Sequence, residues 1–425
     1  MPATATHHHL PPGRERATLL VLGAVQFTHI LDFMIMMPLG SQLMSAFQIT
    51  PAQFSRLVAC YGIAAAVSGL AGGFMLDKFD RKRALLALYS GFGLATLACG
   101  LAPSYQMLLL ARLAAGAFGG LASSLVTAMV GDFIPPARRG RAMGIVTAAF
   151  PVASVLGIPA GLTLAGHFGW HAAFFLLAGC AVANLLLGSL ALPHLRTAVQ
   201  GHEPWQQMKQ IMTHGVHHRA FAVGTMLGMA GGVLMPFLAP SFVANVGLSE
   251  RTDLPVVYAV GGVATAISTP IIGWLSDHMD RLRLLVIMSA CAMVVTLVVM
   301  RLRPSSVLIA SVMMALFMVA MSGRYAPAMT MITNAVEARY RGGFMSIISA
   351  LQLASNAVAS ILAGWFVTRD SAGHLLGLPM VSYVAVGFLI LTLLFAYQLR
   401  AAAPHVAGPP KKAAVPPPSP DIAAA

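Results

Sequence analysis

The sequence predicts an all-α membrane protein of twelve transmembrane helices, arranged as two pseudo-symmetric bundles of six. Three observations carry this. The 425-residue chain is 58% hydrophobic and only 9% charged, against about 25% charged residues in soluble domains. Apolar runs of about twenty residues, each long enough to cross a hydrocarbon layer about 30 Å thick, recur from end to end. A charged phrase in the first half, "GGFMLDKFDRKRALL" from Gly72, returns in the second as "IIGWLSDHMDRLRLL" from Ile271. A β-barrel would need alternating segments of about ten residues, whereas these runs are apolar on every side.

Each span is an apolar run closed by charge. Residues 1–17 are a cytoplasmic tail carrying His7, His8 and His9, then Arg14 and Arg16. The first run, 18–39, follows it. The second, 54–76, stops at Asp77, and the third, 84–102, starts after Arg81, Lys82 and Arg83. The fourth, 106–130, ends before Asp132, and the fifth, 143–166, starts after Arg138, Arg139 and Arg141. The sixth, 170–193, closes the first bundle (18–193). Residues 194–219 are polar and His-rich, and read as a cytoplasmic linker. The second bundle (220–400) repeats the order: 220–244, 255–276 stopping at Asp277, 284–300 after Arg281 and Arg283, 306–332, 344–367 after Arg341, and 378–399. Residues 401–425 are rich in Ala and Pro and are expected to be disordered. Of the 26 Lys and Arg residues, 19 fall at the ends shared by both tails and 5 at the opposite ends. The larger set faces the cytoplasm, so both termini are expected there.

Composition also excludes. The net charge of +13 is spread over short turns between spans, which argues against a nucleic-acid partner. Cys60, Cys99, Cys180 and Cys291 lie inside apolar runs without metal-ligand spacing, so they read as small packing residues. No metal site and no cofactor is expected. No HExxH, GxSxG or phosphate loop is present, so the chain is not read as an enzyme.

The repeat is specific. Gly73, Asp77, Asp80, Arg81 and Arg83 match Gly273, Asp277, Asp280, Arg281 and Arg283, and Arg139–Gly140 matches Arg341–Gly342. Repeated halves with a site at their interface are a common transporter plan. The loop Gly73-x-x-x-Asp77-Lys78-x-x-Arg81-Lys82 resembles the signature of the major facilitator superfamily, Arg112-x-x-x-Gly116 its fourth-helix signature, and "SVLGIPAGLTLAG" (Ser154 to Gly166) its proton-coupled exporter motif. The resemblance covers roughly residues 18–400 and is closest to the drug:proton antiporter and sugar-efflux branch. It implies the two-bundle fold of that family and a conformational latch of Gly73, Asp77, Arg81, Arg83, Asp132, Gly273, Asp277 and Arg281. Asp77 would meet the start of the eleventh helix and Asp277 the start of the fifth, near Gly140, holding the outward-facing state. The same loops also serve as positive-inside anchors, and that alternative stays open. Asp80 and Asp280 stand where the family has a second Gly, and Asp tolerates left-handed backbone. Gly157, Pro159 and Gly161 are expected to let the fifth helix bend and pack closely.

Charges inside the membrane mark function by default. Asp32 is the one acid within a span. It lies about 21 Å from the cytoplasmic end of the first run by helix rise, hence about 9 Å from the outer surface. Arg112, entering from outside, reaches about the same depth, so the two are expected to pair. Gln26, His29 and Asp32 are spaced by three and share a face, giving a polar stripe toward a central cavity. The hypothesis is that Asp32 carries the coupling proton with help from His29; the alternative is a structural ion pair with Arg112. Arg324, about 27 Å along the tenth run, either snorkels to the cytoplasm or binds an anionic substrate. Gln352 and Asn356 share a face on the eleventh run and bond either substrate or a neighbouring helix. The expectation is a monomeric exporter of the bacterial inner membrane. It would move a small amphipathic, drug-like or sugar-like compound against protons, with the lipid bilayer as its surroundings. An importer or uniporter on the same fold is the alternative.

Overall fold

The computed structural model describes residues 12–75, 79–193 and 204–408. Twelve of its helices are long and apolar enough to cross a membrane. The first six are α1 (Gly13–Ile35), α2 (Pro51–Gly72), α3 (Arg81–Gly100), α4 (Tyr105–Phe133), α5 (Arg138–Phe168) and α6 (His171–Ala191). The second six are α7 (Gly215–Ala244), α8 (Asp253–His278), α9 (Arg281–Val299), α10 (Val307–Asn334), α11 (Arg341–Phe366) and α12 (Leu378–Ala402). Every expected span is therefore a helix, with ends moved by a few residues. The histidines of the N-terminal tail, Asp77, Lys78, residues 194–203 of the linker and residues 409–425 lie outside the described residues.

The departures have local causes. The first run stops as a helix at Ile35 and resumes after a turn as a short helix, Gly40–Ala46. Helix α7 breaks between Gly232 and Met235, and α10 breaks at Arg324 between Val307–Gly323 and Tyr325–Asn334. Helix α5 contains a π-turn, Ala153–Gly157, just before Pro159, where the proline ring forbids a regular hydrogen bond. The linker is partly helical: Pro204–Thr213 forms an amphipathic helix whose Ile211 is buried in the second bundle. Two short strands, Thr368–Arg369 and Leu375–Leu376, pair antiparallel between α11 and α12. Asn245 binds that hairpin through both the amide and the carbonyl of Leu375, at 2.8 Å each.

Burial shows how the halves meet. At the end away from the basic loops one continuous core joins them, with Met36, Leu43, Phe54 and Leu57 packed among Leu234, Phe237 and Phe242. Toward the basic end the core divides. One cluster belongs to the first bundle (Leu22, Tyr61, Phe92, Val126, Val146) and another to the second (Phe221, Leu285, Ile332, Phe344, Leu399). Helices α2 and α11 run together, with Leu353 leaning on the first cluster and Leu70 on the second. The halves are thus sealed at one end and part toward the other. Glycines set the closest approaches: a Cβ on Gly262 of α8 would lie 2.6 Å from the Ser154 carbonyl of α5.

The chain after α12 is not structureless where it is described. Pro404–Val406 forms one 3-10 turn, and Val406 and Ala407 are fully buried. Replacing Val406 with Ala removes two methyl groups from this contact. It is expected to cost about 1.5 kcal/mol, seen as a lower melting temperature of the purified protein.

Candidate functional site

Helix α1 is apolar enough to insert, yet it carries Thr28, His29 and Asp32 on faces that are buried against α2, α3 and α4. Buried polar groups need partners, and each of these finds some. Arg112 Nη1 donates to Asp32 Oδ2 at 2.7 Å and to the Asp32 carbonyl at 3.3 Å. Both side chains of the pair are completely shielded from solvent. The Arg112 guanidinium lies over the Tyr61 ring, 4.3 Å from its centroid, a geometry in which the ring face attracts the cation. The Tyr61 hydroxyl bonds His29 Nδ1 at 2.8 Å. Asp32, Arg112, Tyr61 and His29 therefore form one buried network spanning α1, α2 and α4. It is incomplete: Asp32 Oδ1, Arg112 Nε and Arg112 Nη2 have no hydrogen-bond partner among the described residues.

The expected polar stripe is only partly present. Gln26 is half-buried and accepts from Ser123 of α4 at 3.1 Å, but His29 and Asp32 face the interior of the first bundle. The cause is the glycine ladder of α4. Cβ atoms on Gly116 and Gly120 would collide with the carbonyl oxygens of Tyr61 and Ala65, and one on Gly119 would press on the His29 ring. Their absence lets α4 approach α2 closely, as small-residue interfaces do. Sequence reasoning missed Tyr61. The available signal was a tyrosine in mid-span, whose hydroxyl must find a partner when buried. It also missed a second cluster, in which Tyr89 binds Thr28 and accepts from Asn184 at 3.0 Å.

In the second bundle, Gln352 of α11 accepts from the Tyr325 hydroxyl of α10 at 2.8 Å, so this amide joins two helices. Asn356 is half-buried, with its carbonyl against Gly232 of α7. Arg324 does not snorkel. It is only 2% exposed at the break in α10, and among the described residues its guanidinium donates only from Nη2, to the Met321 sulfur at 3.3 Å. In the fifth helix, Cβ atoms on Gly157 and Gly161 would meet Leu31 and Ile35 of α1 at 2.8 Å.

Three features mark the basic loops. Asp80 and Asp280 are not in left-handed backbone (φ −59° and −60°). They cap α3 and α9, each accepting from the backbone N–H three residues on, of Arg83 and Arg283, at 2.9 Å. Aspartate stands here because its carboxylate satisfies a free helix N–H. Second, Arg81 pairs with Asp132 at 2.9 Å, which ties α3 to α4 within one half. Third, among the described residues no hydrogen bond or ion pair joins Asp277 to the start of α5, and space is open around Gly140, Gly273 and Gly342. Among the described residues this cross-contact is therefore unmade; Gly73 lies in the last turns of the helix Pro51–Met75.

The repeat is also broken at one position. The alignment of Arg139 with Arg341 places Asn334 opposite Asp132. Arg281 thus lacks the carboxylate that Arg81 has. It uses the segment after α12 instead: its N–H donates to the Ala407 carbonyl at 2.9 Å, and its guanidinium to the carbonyls of Val406 and Gly408. Arg400 pairs with Asp280 at 3.1 Å.

Comparison with known proteins agrees with this architecture. A bacterial homologue of the human lysosomal transporter Spinster, solved inward-facing and unoccupied, superposes with a TM-score of 0.76 at 16% identity, covering 94% of this chain and 100% of that one. The nucleoside transporter NupG, solved as a point mutant, gives 0.73 at 13% identity, covering 90% and 98%. Curated relatives match over shorter stretches. The uncharacterized MFS-type transporter YceJ of Bacillus subtilis is 30% identical over 41% of this chain and 44% of its own length. Multidrug resistance protein Stp of Mycobacterium tuberculosis is 31% identical over 41% and 32%. The niacin transporter NiaP of Acinetobacter baylyi is 30% identical over 40% and 38%. The matched stretch thus spans less than half the length of these relatives. The family model described as Major Facilitator Superfamily matches residues 22–323 and 220–423, well over half of the sequence, and the chain belongs to that family.

Proposed function

We propose that this protein is a secondary active transporter that rocks its two halves about a central site. It exports a small amphipathic, drug-like or sugar-like compound in exchange for protons across a bacterial inner membrane. The observation that carries the reading is the buried Asp32–Arg112 pair. Ionised, the pair is neutral overall. A proton on Asp32 leaves the guanidinium charge uncompensated in a low-dielectric interior, which is costly. The network then gains by rearranging, and Arg112 already has the Asp32 carbonyl and the Tyr61 ring as second partners. Protonation is thereby coupled to how α1, α2 and α4 pack. The basic loops, with Asp77 and Asp277 in the latch, act when the basic ends close. Both termini lie on the cytoplasmic face.

The test is Asp32→Asn in vesicles with an imposed pH gradient. The variant is expected to lose proton-driven flux by a factor of at least about 100, the range of rate lost when a proton carrier is removed. Undiminished flux overturns the assignment. The second reading is an importer or uniporter of a small metabolite on the same fold; likeness to a niacin transporter favours a metabolite as the cargo. The direction of flux under an inward proton gradient separates the two.

A further inference from the structure

We propose that Arg324 is the binding group of an anion subsite in the second bundle, so that the transported compound carries a carboxylate or similar oxyanion; this rests on the transport reading above. Arg324 is buried, and its Nε and Nη1 have no hydrogen-bond partner among the described residues. The acceptor that its Nη2 meets among the described residues, a thioether sulfur, is weak. The six acidic residues of this half, Glu250, Asp253, Asp277, Asp280, Glu337 and Asp370, all sit at span ends or in loops. Arg324 stands ten residues before Asn334, about 15 Å along the axis from the nearest such end. Among the described residues no carboxylate forms an ion pair with Arg324. Arg112, in contrast, has Asp32.

A guanidinium held this way is a net positive charge in the membrane without a counterion among the described residues, and such residues mark ligand pathways. The surrounding geometry fits an anion. Arg324 occupies a helix break, and the ten-residue helix Tyr325–Asn334 starts beside it, presenting its positive dipole end. Broken helices of this kind are where transporters receive anionic groups. Next to it Tyr325 is 44% exposed and bonded to half-buried Gln352, a polar surface that adjoins the break. The guanidinium fork matches two carboxylate oxygens. The alignment that pairs Arg139 with Arg341 places Ala122 opposite Arg324, so the repeat itself does not require a charge at this depth.

Purified protein is screened by thermal shift against aliphatic and aromatic carboxylates, benzoate among them, each paired with its neutral amide at matched ionic strength. At least one carboxylate is expected to raise the melting temperature where its amide does not. Arg324→Met is expected to melt higher than the parent without ligand, because an uncompensated charge is removed, and to bind that carboxylate at least about 10-fold more weakly. A purely structural arginine predicts the reverse, a less stable variant. The proposal is overturned if no carboxylate outperforms its amide, if the shift survives in Arg324→Met, or if that variant is the less stable protein. Proton-driven flux of a neutral compound that Arg324→Met leaves intact removes the subsite and keeps the transport reading. Carboxylate binding lost in Arg324→Met, with no flux of that carboxylate, keeps the subsite and removes transport.

Discussion

Asp32→Leu is expected to destabilise the protein by about 3–5 kcal/mol, the cost of leaving one member of a buried ion pair alone. Arg112→Met is expected to cost less. The asymmetry is chemical: a carboxyl left alone can take up a proton and become neutral, whereas a guanidinium keeps its charge at any physiological pH. The double variant Asp32→Leu/Arg112→Met removes both charges and is expected to recover most of the loss, since apolar replacements of buried pairs are often neutral. The measurement is a double-mutant cycle on melting temperature, with flux read in parallel. A stable double variant that no longer couples flux to protons separates the chemical role of the pair from its structural one. If Asp32→Leu alone is as stable as the parent, the pair is not the closed, solvent-free contact seen between α1 and α4.

The second large effect lies in the glycine ladder. Gly116→Ala and Gly120→Ala each drive a methyl into a backbone carbonyl of α2 rather than into a movable side chain. Relief requires α4 to shift as a whole. Overpacking of this kind typically costs about 1–3 kcal/mol and occasionally more; with rigid backbone as the obstacle, the upper end is expected for each. The double variant is expected to yield little monodisperse protein by size-exclusion chromatography. Gly131→Ala on the same helix meets no atom within 4 Å and serves as the neutral control. A normal elution profile for Gly116→Ala/Gly120→Ala overturns this account of how α2 and α4 are held.

The spans were legible because lipid imposes one strong rule, that apolar length makes a helix. The pairing of Asp32 with Arg112 was legible as well, since depth follows from counting residues along each helix. Rotation about the helix axis was not. Whether Asp32 faces a central cavity or the interior of its own bundle depends on Gly116, Gly119 and Gly120 drawing α4 against α2, and no periodicity in α1 encodes that. Asp80 and Asp280 were misread because a turn position and a helix cap look alike in sequence. The fate of Arg281 was hidden for a different reason. Its partner lies in a segment whose Ala- and Pro-rich composition gives no packing signal, and the loss of a carboxylate at Asn334 is visible only when the halves are laid over each other.

That substitution changes the timetable of assembly. In the first half, Arg81 finds Asp132 only 51 positions later, so this corner can be finished while translation continues. In the second, Arg281 waits for carbonyls 125 and 127 positions downstream, beyond the final helix. The corresponding corner therefore closes later than its counterpart in the first half, and a nascent chain halted before Val406 leaves this guanidinium without the carbonyls of Val406 and Gly408.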